Sequence, residues 1–112
     1  MRKPLATAAM LAVLFPAALL ARTLELVNES SVTIEHLFVA WAGDKGWGPD
    51  QLGSSRDDIV APGASFRLNG LEKDTFDLKI VTHTGQECVI EGVHFRTNMR
   101  WTVTDKVLRE CR

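Results

Sequence analysis

The stretch TFDLKIVTHTGQECVI (residues 75–90) decides the fold. Its first half alternates apolar and polar residues, so that Phe76, Leu78 and Ile80 share one face of a strand. Gly85 lies in a polar break that suits a turn, and the extended pattern resumes at Cys88. The stretch therefore predicts an antiparallel hairpin with one buried face.

The same pattern continues on both sides of this hairpin. Short alternating stretches recur at residues 23–27, 32–35, 65–68 and 101–104. Turn-forming pairs separate them, Pro-Gly at residues 62–63 and Asn-Gly at 69–70. Residues 37–41 are apolar on both faces, which indicates either a central strand or a bulge. These features predict an all-β fold, a small antiparallel β-sandwich of the Ig-like or Greek-key type with six or seven strands.

Residues 1–21 have the composition of a secretory signal peptide. Two basic residues open the segment, residues 5–20 are almost wholly apolar, and small residues including Ala18 and Ala21 lie near its end. An uncleaved membrane anchor is the alternative, because the apolar stretch is close to the roughly 18 residues that a spanning helix needs. We expect cleavage after one of the two alanines. The prediction is then a single domain of residues 22–112 in the periplasm or outside the cell.

The charge pattern indicates which classes of partner the protein can bind. The chain carries 13 Lys and Arg residues against 14 Asp and Glu residues, for a net charge of −1. The charges are mixed along the chain, and the Lys/Arg stripe that nucleic acid needs is missing. No basic run follows the signal that would hold the protein to an anionic membrane. We expect the partner to be an unknown protein or small ligand, not nucleic acid or a membrane.

The chain has two cysteines, Cys88 and Cys111, and both lie in the expected mature domain. Two thiols in a small exported domain predict a disulfide. Such a bond would close a loop of about 24 residues and stabilise the domain by about 3 kcal/mol. It would also hold the C-terminus in place.

Four short motifs follow one another along the chain. They are Asn-Glu-Ser at residues 28–30, Trp-Gly-Pro-Asp-Gln-Leu at 47–52, Pro-Gly at 62–63 and Asp-Leu-Lys at 77–79. In this order they resemble a family of small secreted bacterial proteins of unestablished function. Some relatives in that family carry the label argininosuccinate lyase. Enzymes of that name are large helical oligomers with shared active sites, which a short strand-rich chain cannot supply.

The glycine-rich loop of residues 42–58 is the first candidate site. An aromatic residue on such a loop can stack on a ligand or a partner, so Trp47 is the expected anchor of a binding surface at residues 43–56. Asp50 and Leu52 complete this candidate site. The structural alternative is that Trp47 closes one end of the sandwich while Asp50 caps a short turn.

A copper site is the alternative function. His83, Cys88, His94 and Met99 have the side-chain types of a blue-copper centre, which binds copper through two His, one Cys and a weak axial Met. Their spacing is poor, because Cys88 and His94 would lie about 20 Å apart along one strand. We therefore expect no cofactor and treat copper as the second hypothesis.

Hydrolytic chemistry is the third hypothesis. Ser54 and Ser55 provide hydroxyls, and Asp57 and Asp58 are adjacent carboxylates. The chain contains no Gly-x-Ser-x-Gly elbow, and adjacent carboxylates on an extended chain point to opposite sides. We expect a non-enzymatic binding or structural module.

Overall fold

The computed structural model describes residues 22–44, 46–72 and 74–111. The predicted signal peptide lies outside these residues. Six strands form two three-stranded sheets that pack together, and one short helix follows the last strand. The expected small all-β sandwich is confirmed. In the described part of the chain, no helix has the length and apolar character needed to cross a membrane.

The strands divide between the two sheets in an order that differs from their order along the chain. The elements are β1 (Arg22–Glu29), β2 (Ile34–Trp41), β3 (Ser65–Leu71), β4 (Thr75–Thr82), β5 (Glu87–His94), β6 (Met99–Thr104) and α1 (Asp105–Glu110). One sheet has the order β3-β1-β6 and the other β2-β4-β5. Neighbouring strands are antiparallel except for β1 and β6, which are parallel. The first and last strands are therefore neighbours.

The predicted hairpin supplies the central strand β4 and the edge strand β5 of the second sheet. Along β4 the residues Phe76, Leu78 and Ile80 are buried, and Asp77 and Lys79 alternate with them toward the outer face. Phe95, which follows β5, is completely buried with its ring 5.4 Å from that of Phe76. The core between the sheets therefore follows the period-two pattern of the sequence.

The sequence left open whether residues 37–41 belong to a central strand or to a strand with a bulge, and β2 is a strand with a bulge. It lies at an edge of its sheet, and its register shifts between Ile34 and His36. The register shift lets Ile34 and Leu37, three residues apart, both face the core, whereas Phe38 faces outward beside Lys79. Val60 forms one isolated bridge to Ile34 in place of a seventh strand.

The Asn-Glu-Ser motif forms a buried hydrogen-bonded corner. The Asn28 amide donates to the carbonyl oxygens of Val32 at 2.8 Å and Val60 at 2.9 Å. Its Oδ1 accepts from the backbone N–H of Ser30 at 2.9 Å and from the Ser30 hydroxyl at 2.7 Å. Because Asn28 is fully buried and its amide is fully engaged, the motif acts as a structural turn.

The C-terminus is tied to the second sheet by a disulfide. Cys88 on β5 and Cys111 are bonded, with their Cα atoms 5.3 Å apart, so the predicted disulfide is confirmed. Helix α1 is not predictable from the sequence, because six residues are too few to show a helical period. The Thr104 hydroxyl caps this helix by accepting from the Val107 N–H at 3.1 Å, and Leu108 is buried beneath it.

Candidate binding site at the β2 loop

The loop after β2 folds back and covers the open edge of that strand. The Gln51 N–H donates to the Leu37 carbonyl oxygen at 2.7 Å, and the Leu37 N–H donates to Asp50 Oδ1 at 3.0 Å. These two bonds take the place of a neighbouring strand at Leu37. The loop therefore satisfies backbone groups that an edge strand would otherwise expose.

Asp50 is the centre of this contact. Its Oδ1 also accepts from the Leu52 N–H at 3.0 Å, and its Oδ2 lies 2.6 Å from His36 Nδ1. Burial raises the pKa of Asp50, but the hydrogen bonds from His36, Leu37 and Leu52 lower it, and the net pKa lies below its ordinary value. The side chain is therefore held as a carboxylate that accepts hydrogen bonds from both the loop and the strand.

The other loop residues of the predicted site have different positions. Leu52 is 8% exposed and belongs to the core, so it anchors the loop. Gly48 packs so closely on β2 that a Cβ atom there would lie 3.3 Å from the Val39 carbonyl oxygen. Trp47 is half-buried, and the Lys79 ammonium lies 5.1 Å from its ring centroid. Trp47 thus contacts a side chain on the outer face of the second sheet.

Lys79 is shared between two aromatic rings. Its ammonium also lies 5.0 Å from the ring centroid of Phe38, within cation–π range. Phe38 in turn stacks on His36 with ring centroids 6.0 Å apart. The loop, β2 and β4 therefore contribute side chains to one continuous amphipathic surface.

A groove of about 610 Å³ opens between β2 and the second half of the loop. Phe38 and His36 line its strand side, and Ile59, 44% exposed, lines its loop side. The loop wall is ordered internally, because Asp58 Oδ2 accepts from the Ser55 N–H at 3.0 Å. The described residues thus form a concave site whose walls are held by their own hydrogen bonds.

The polar lining of the groove is mostly acidic. Three carboxylates, those of Glu35, Asp50 and Asp58, lie on or beside its walls against a single arginine, Arg56. Glu35 also lies 3.0 Å from His83 Nδ1, but its side chain remains 38% exposed. The lining favours a ligand that carries positive charge beside an apolar group.

The groove brings a histidine close to the loop that holds the two serines. The Nδ1 atom of His36 is engaged by Asp50, and the described residues provide no hydrogen bond from His36 to a hydroxyl. Ser54 and Ser55 line the same groove, and the Ser55 hydroxyl accepts from the Asp57 N–H at 3.2 Å. The arrangement can hydrogen-bond a ligand, but a nucleophile paired with a base is not assembled among these residues.

The copper hypothesis does not fit the structure. Cys88 is bonded to Cys111 and faces the core, so it has no free thiolate. His83 contacts Glu35 beyond the end of β4, whereas His94, the last residue of β5, contacts the Thr75 hydroxyl. Across residues 22–44, 46–72 and 74–111, no group of three or more His, Cys, Asp or Glu side chains could hold a metal ion. The four proposed ligands, Met99 included, do not form a site.

Four groove residues, Glu35, His36, Phe38 and Ile59, were not among the candidate site residues of the sequence. The bulge in β2 turns His36 and Phe38 outward, and the alternation of the sequence alone did not locate that bulge. A signal in the sequence was the adjacent pair Ile59 and Val60, because only one of two neighbouring residues on an extended chain can face the core.

Comparison with known protein families and with curated proteins finds no match. Among solved structures, the chain is similar to an NMR structure of a protein from Eubacterium rectale. The two share 13% sequence identity with a TM-score of 0.50, over 76% of this chain and 78% of the other. At this identity the similarity supports the fold alone.

Proposed function

We propose that this protein is an exported, non-enzymatic binding module that holds a short peptide segment in the groove between β2 and its loop. The observation that carries the proposal is the groove itself, with exposed Ile59 opposite Phe38 and carboxylates around them. Most ligand sites are concave and apolar, with a few fixed polar groups. The loop predicted as the contact surface forms one of its walls.

The lining specifies the chemistry of the peptide. An apolar side chain fits between Ile59 and Phe38, and a basic side chain fits beside Glu35 and Asp58. Trp47 supports the neighbouring surface through Lys79. The favoured ligand is therefore a segment in which an apolar residue has basic neighbours.

Export is the second part of the proposal. It is supported by the composition of residues 1–21 and by the Cys88–Cys111 disulfide, since such bonds persist in oxidising compartments. Mass spectrometry of protein recovered from an exporting bacterium tests it. We expect a chain that begins after Ala18 or Ala21 and is two hydrogens lighter than the reduced form. A retained Met1 with both thiols reduced would contradict export.

Binding is tested with two capped pentapeptides as probes. Each has a central phenylalanine, which is flanked by lysines in one and by glutamates in the other. We expect the lysine peptide to shift the backbone amide signals of Gly53 and Ile59 saturably. The glutamate peptide is expected to bind about tenfold more weakly, because the groove lining is acidic.

A matched pair of variants places the binding site. Ile59 and Trp41 are the large apolar residues exposed in the described part of the chain, and only Ile59 lines the groove. Covering the exposed part of Ile59 is worth about 1 kcal/mol, so I59S is expected to weaken binding about fivefold. W41S is expected to bind the lysine peptide with the same affinity as the unchanged protein. Equal losses in both variants, or no saturable binding of either peptide, would contradict the proposal.

A further inference from the structure

The outer face of the first sheet has a charge pattern that the groove does not use. Glu25 lies at the centre of this face on β1, directly opposite Arg67 on β3 and Arg100 on β6. The three residues therefore form one row across three strands. Strands are about 4.8 Å apart, so the two arginines begin about 10 Å apart with the carboxylate between them.

The row has more positive charge than its single carboxylate neutralises. The Arg100 Nε lies 3.1 Å from Glu25 Oε1, while 68% of the Arg100 side chain remains exposed. Arg67 is exposed and has no hydrogen bond or ion pair within the described residues. The Arg67 guanidinium thus has no counter-ion among the described residues, and the Arg100 guanidinium keeps hydrogen-bond donors that Glu25 does not use. This patch is positive although the chain as a whole carries −1.

A shallow cavity of about 390 Å³ lies over the row. Asn98 lines it, and Asn98 Oδ1 accepts from the Thr23 N–H at 3.0 Å. Because a backbone N–H can only donate, this bond fixes the orientation of the amide and leaves Asn98 Nδ2 as a donor. Arg67, Arg100 and Asn98 line the same cavity, together with Glu25.

We propose that this cavity binds the tetrahedral oxyanion group, sulfate or phosphate, of a small ligand, held between Arg67 and Arg100 with Asn98 Nδ2 as a further donor. A guanidinium donates two parallel hydrogen bonds to a pair of oxygens. A carboxylate has one such pair, which one arginine satisfies. A tetrahedral oxyanion has enough oxygens for both arginines.

Glu25 has a defined part in this site. Its carboxylate holds Arg100 in place while the cavity is empty, and it repels an anion that enters. Replacing it with glutamine removes the repulsion and leaves the shape of the side chain nearly unchanged. E25Q is therefore expected to bind sulfate about fivefold more tightly.

The test is a titration of exported protein with sodium sulfate at constant ionic strength. The arginine Nε–H and asparagine side-chain signals are followed by NMR. We expect saturable shifts at Arg67, Arg100 and Asn98. R67Q is expected to weaken binding about tenfold, since it removes a bidentate contact. The control is R109Q, a change on α1 outside the cavity lining. This variant is expected to bind sulfate with the affinity of the unchanged protein.

The outcomes of these titrations decide the proposal. Tighter binding by E25Q supports it strongly, because a misfolded variant would not gain affinity. Phosphate titrated in place of sulfate is expected to bind similarly, and acetate several-fold more weakly. Shifts that grow linearly without saturation, or equal losses in R67Q and R109Q, would overturn it. This site and the peptide groove lie on different sheets, so either proposal can fail without the other.

Discussion

Replacing Asp50 with alanine removes the carboxylate that joins the loop to β2. Two backbone N–H groups, those of Leu37 and Leu52, then lose their acceptor, and His36 loses its partner. A partly buried donor left without a partner costs about 1 kcal/mol or slightly more. The His36 contact adds less than 1 kcal/mol, because that side chain is 45% exposed. The expected loss in the free energy of unfolding is about 2–4 kcal/mol.

This loss is large for a domain of such size. Total stabilities of small domains are about 5–15 kcal/mol, and 1 kcal/mol moves Tm by about 4–8 °C. D50A is therefore expected to lower Tm by about 8–32 °C. Urea unfolding followed by circular dichroism gives the change in free energy directly.

Three further variants separate the contributions of the Asp50 hydrogen bonds, its charge and its contact with His36. D50N keeps an oxygen acceptor and loses the charge, so it is expected to cost about 1 kcal/mol. H36A removes only the exposed partner and is expected to cost less than 1 kcal/mol. D57A is the matched control, because the Asp57 carboxylate makes no hydrogen bond within the described residues and its loss is expected to cost under about 0.5 kcal/mol. A D50A protein as stable as D57A would refute the reasoning, and so would a D50N protein as unstable as D50A.

Three other measurements follow from the same structure. Reduction of the disulfide is expected to lower the free energy of unfolding by about 3 kcal/mol, measured by urea unfolding with and without reductant; an unchanged midpoint would contradict this. The pKa of Asp50 is lower in the folded state, so its contribution is present above the unfolded pKa of about 4 and is lost as pH falls through the folded value. Acid unfolding should therefore be less steep in D50N than in the unchanged protein, and identical slopes would count against this contribution. G53A is expected to cost at least 1 kcal/mol by thermal unfolding, since Gly53 has φ +117° and a Cβ there would collide with the Asp58 carboxylate. G46A is expected to be far milder, because a Cβ added at Gly46 would have no atom within 4 Å, and equal effects would argue against strain at Gly53.

The strands were predictable because alternation is a local property. Phe76, Leu78 and Ile80 show the buried face of β4 in the sequence, and the structure places all three in the core. The disulfide was predictable for a different reason, since two cysteines in a small chain with a predicted signal peptide have few alternatives. The parallel pairing of β1 with β6 was not, because periodicity does not show which distant strand lies alongside.

The candidate site was predictable only in part. Asp50 and residues 53–56 of the predicted glycine-rich loop line the groove, whereas Trp47, the expected anchor, is not among its lining residues. The sequence could not assign these separate roles. Leu52 lies in the core and Asp50 bonds to the backbone of β2, whereas Ile59 remains exposed. The difference comes from the way the loop bonds back to β2, which a single sequence does not show.

The sequence by itself determined which residues lie on the same face of a strand, where turns occur and that two cysteines would pair, because each depends on neighbours along the chain or on composition. Only the tertiary structure decided which strands lie side by side and which residues of distant segments come together. Arg67, Glu25 and Arg100 come from three distant segments, and their alignment depends on the register of two strand pairs. His36 and Ile59 likewise meet across one groove only because the loop bonds back to β2. Register and loop docking arise from long-range hydrogen bonds and packing, which local patterns do not encode.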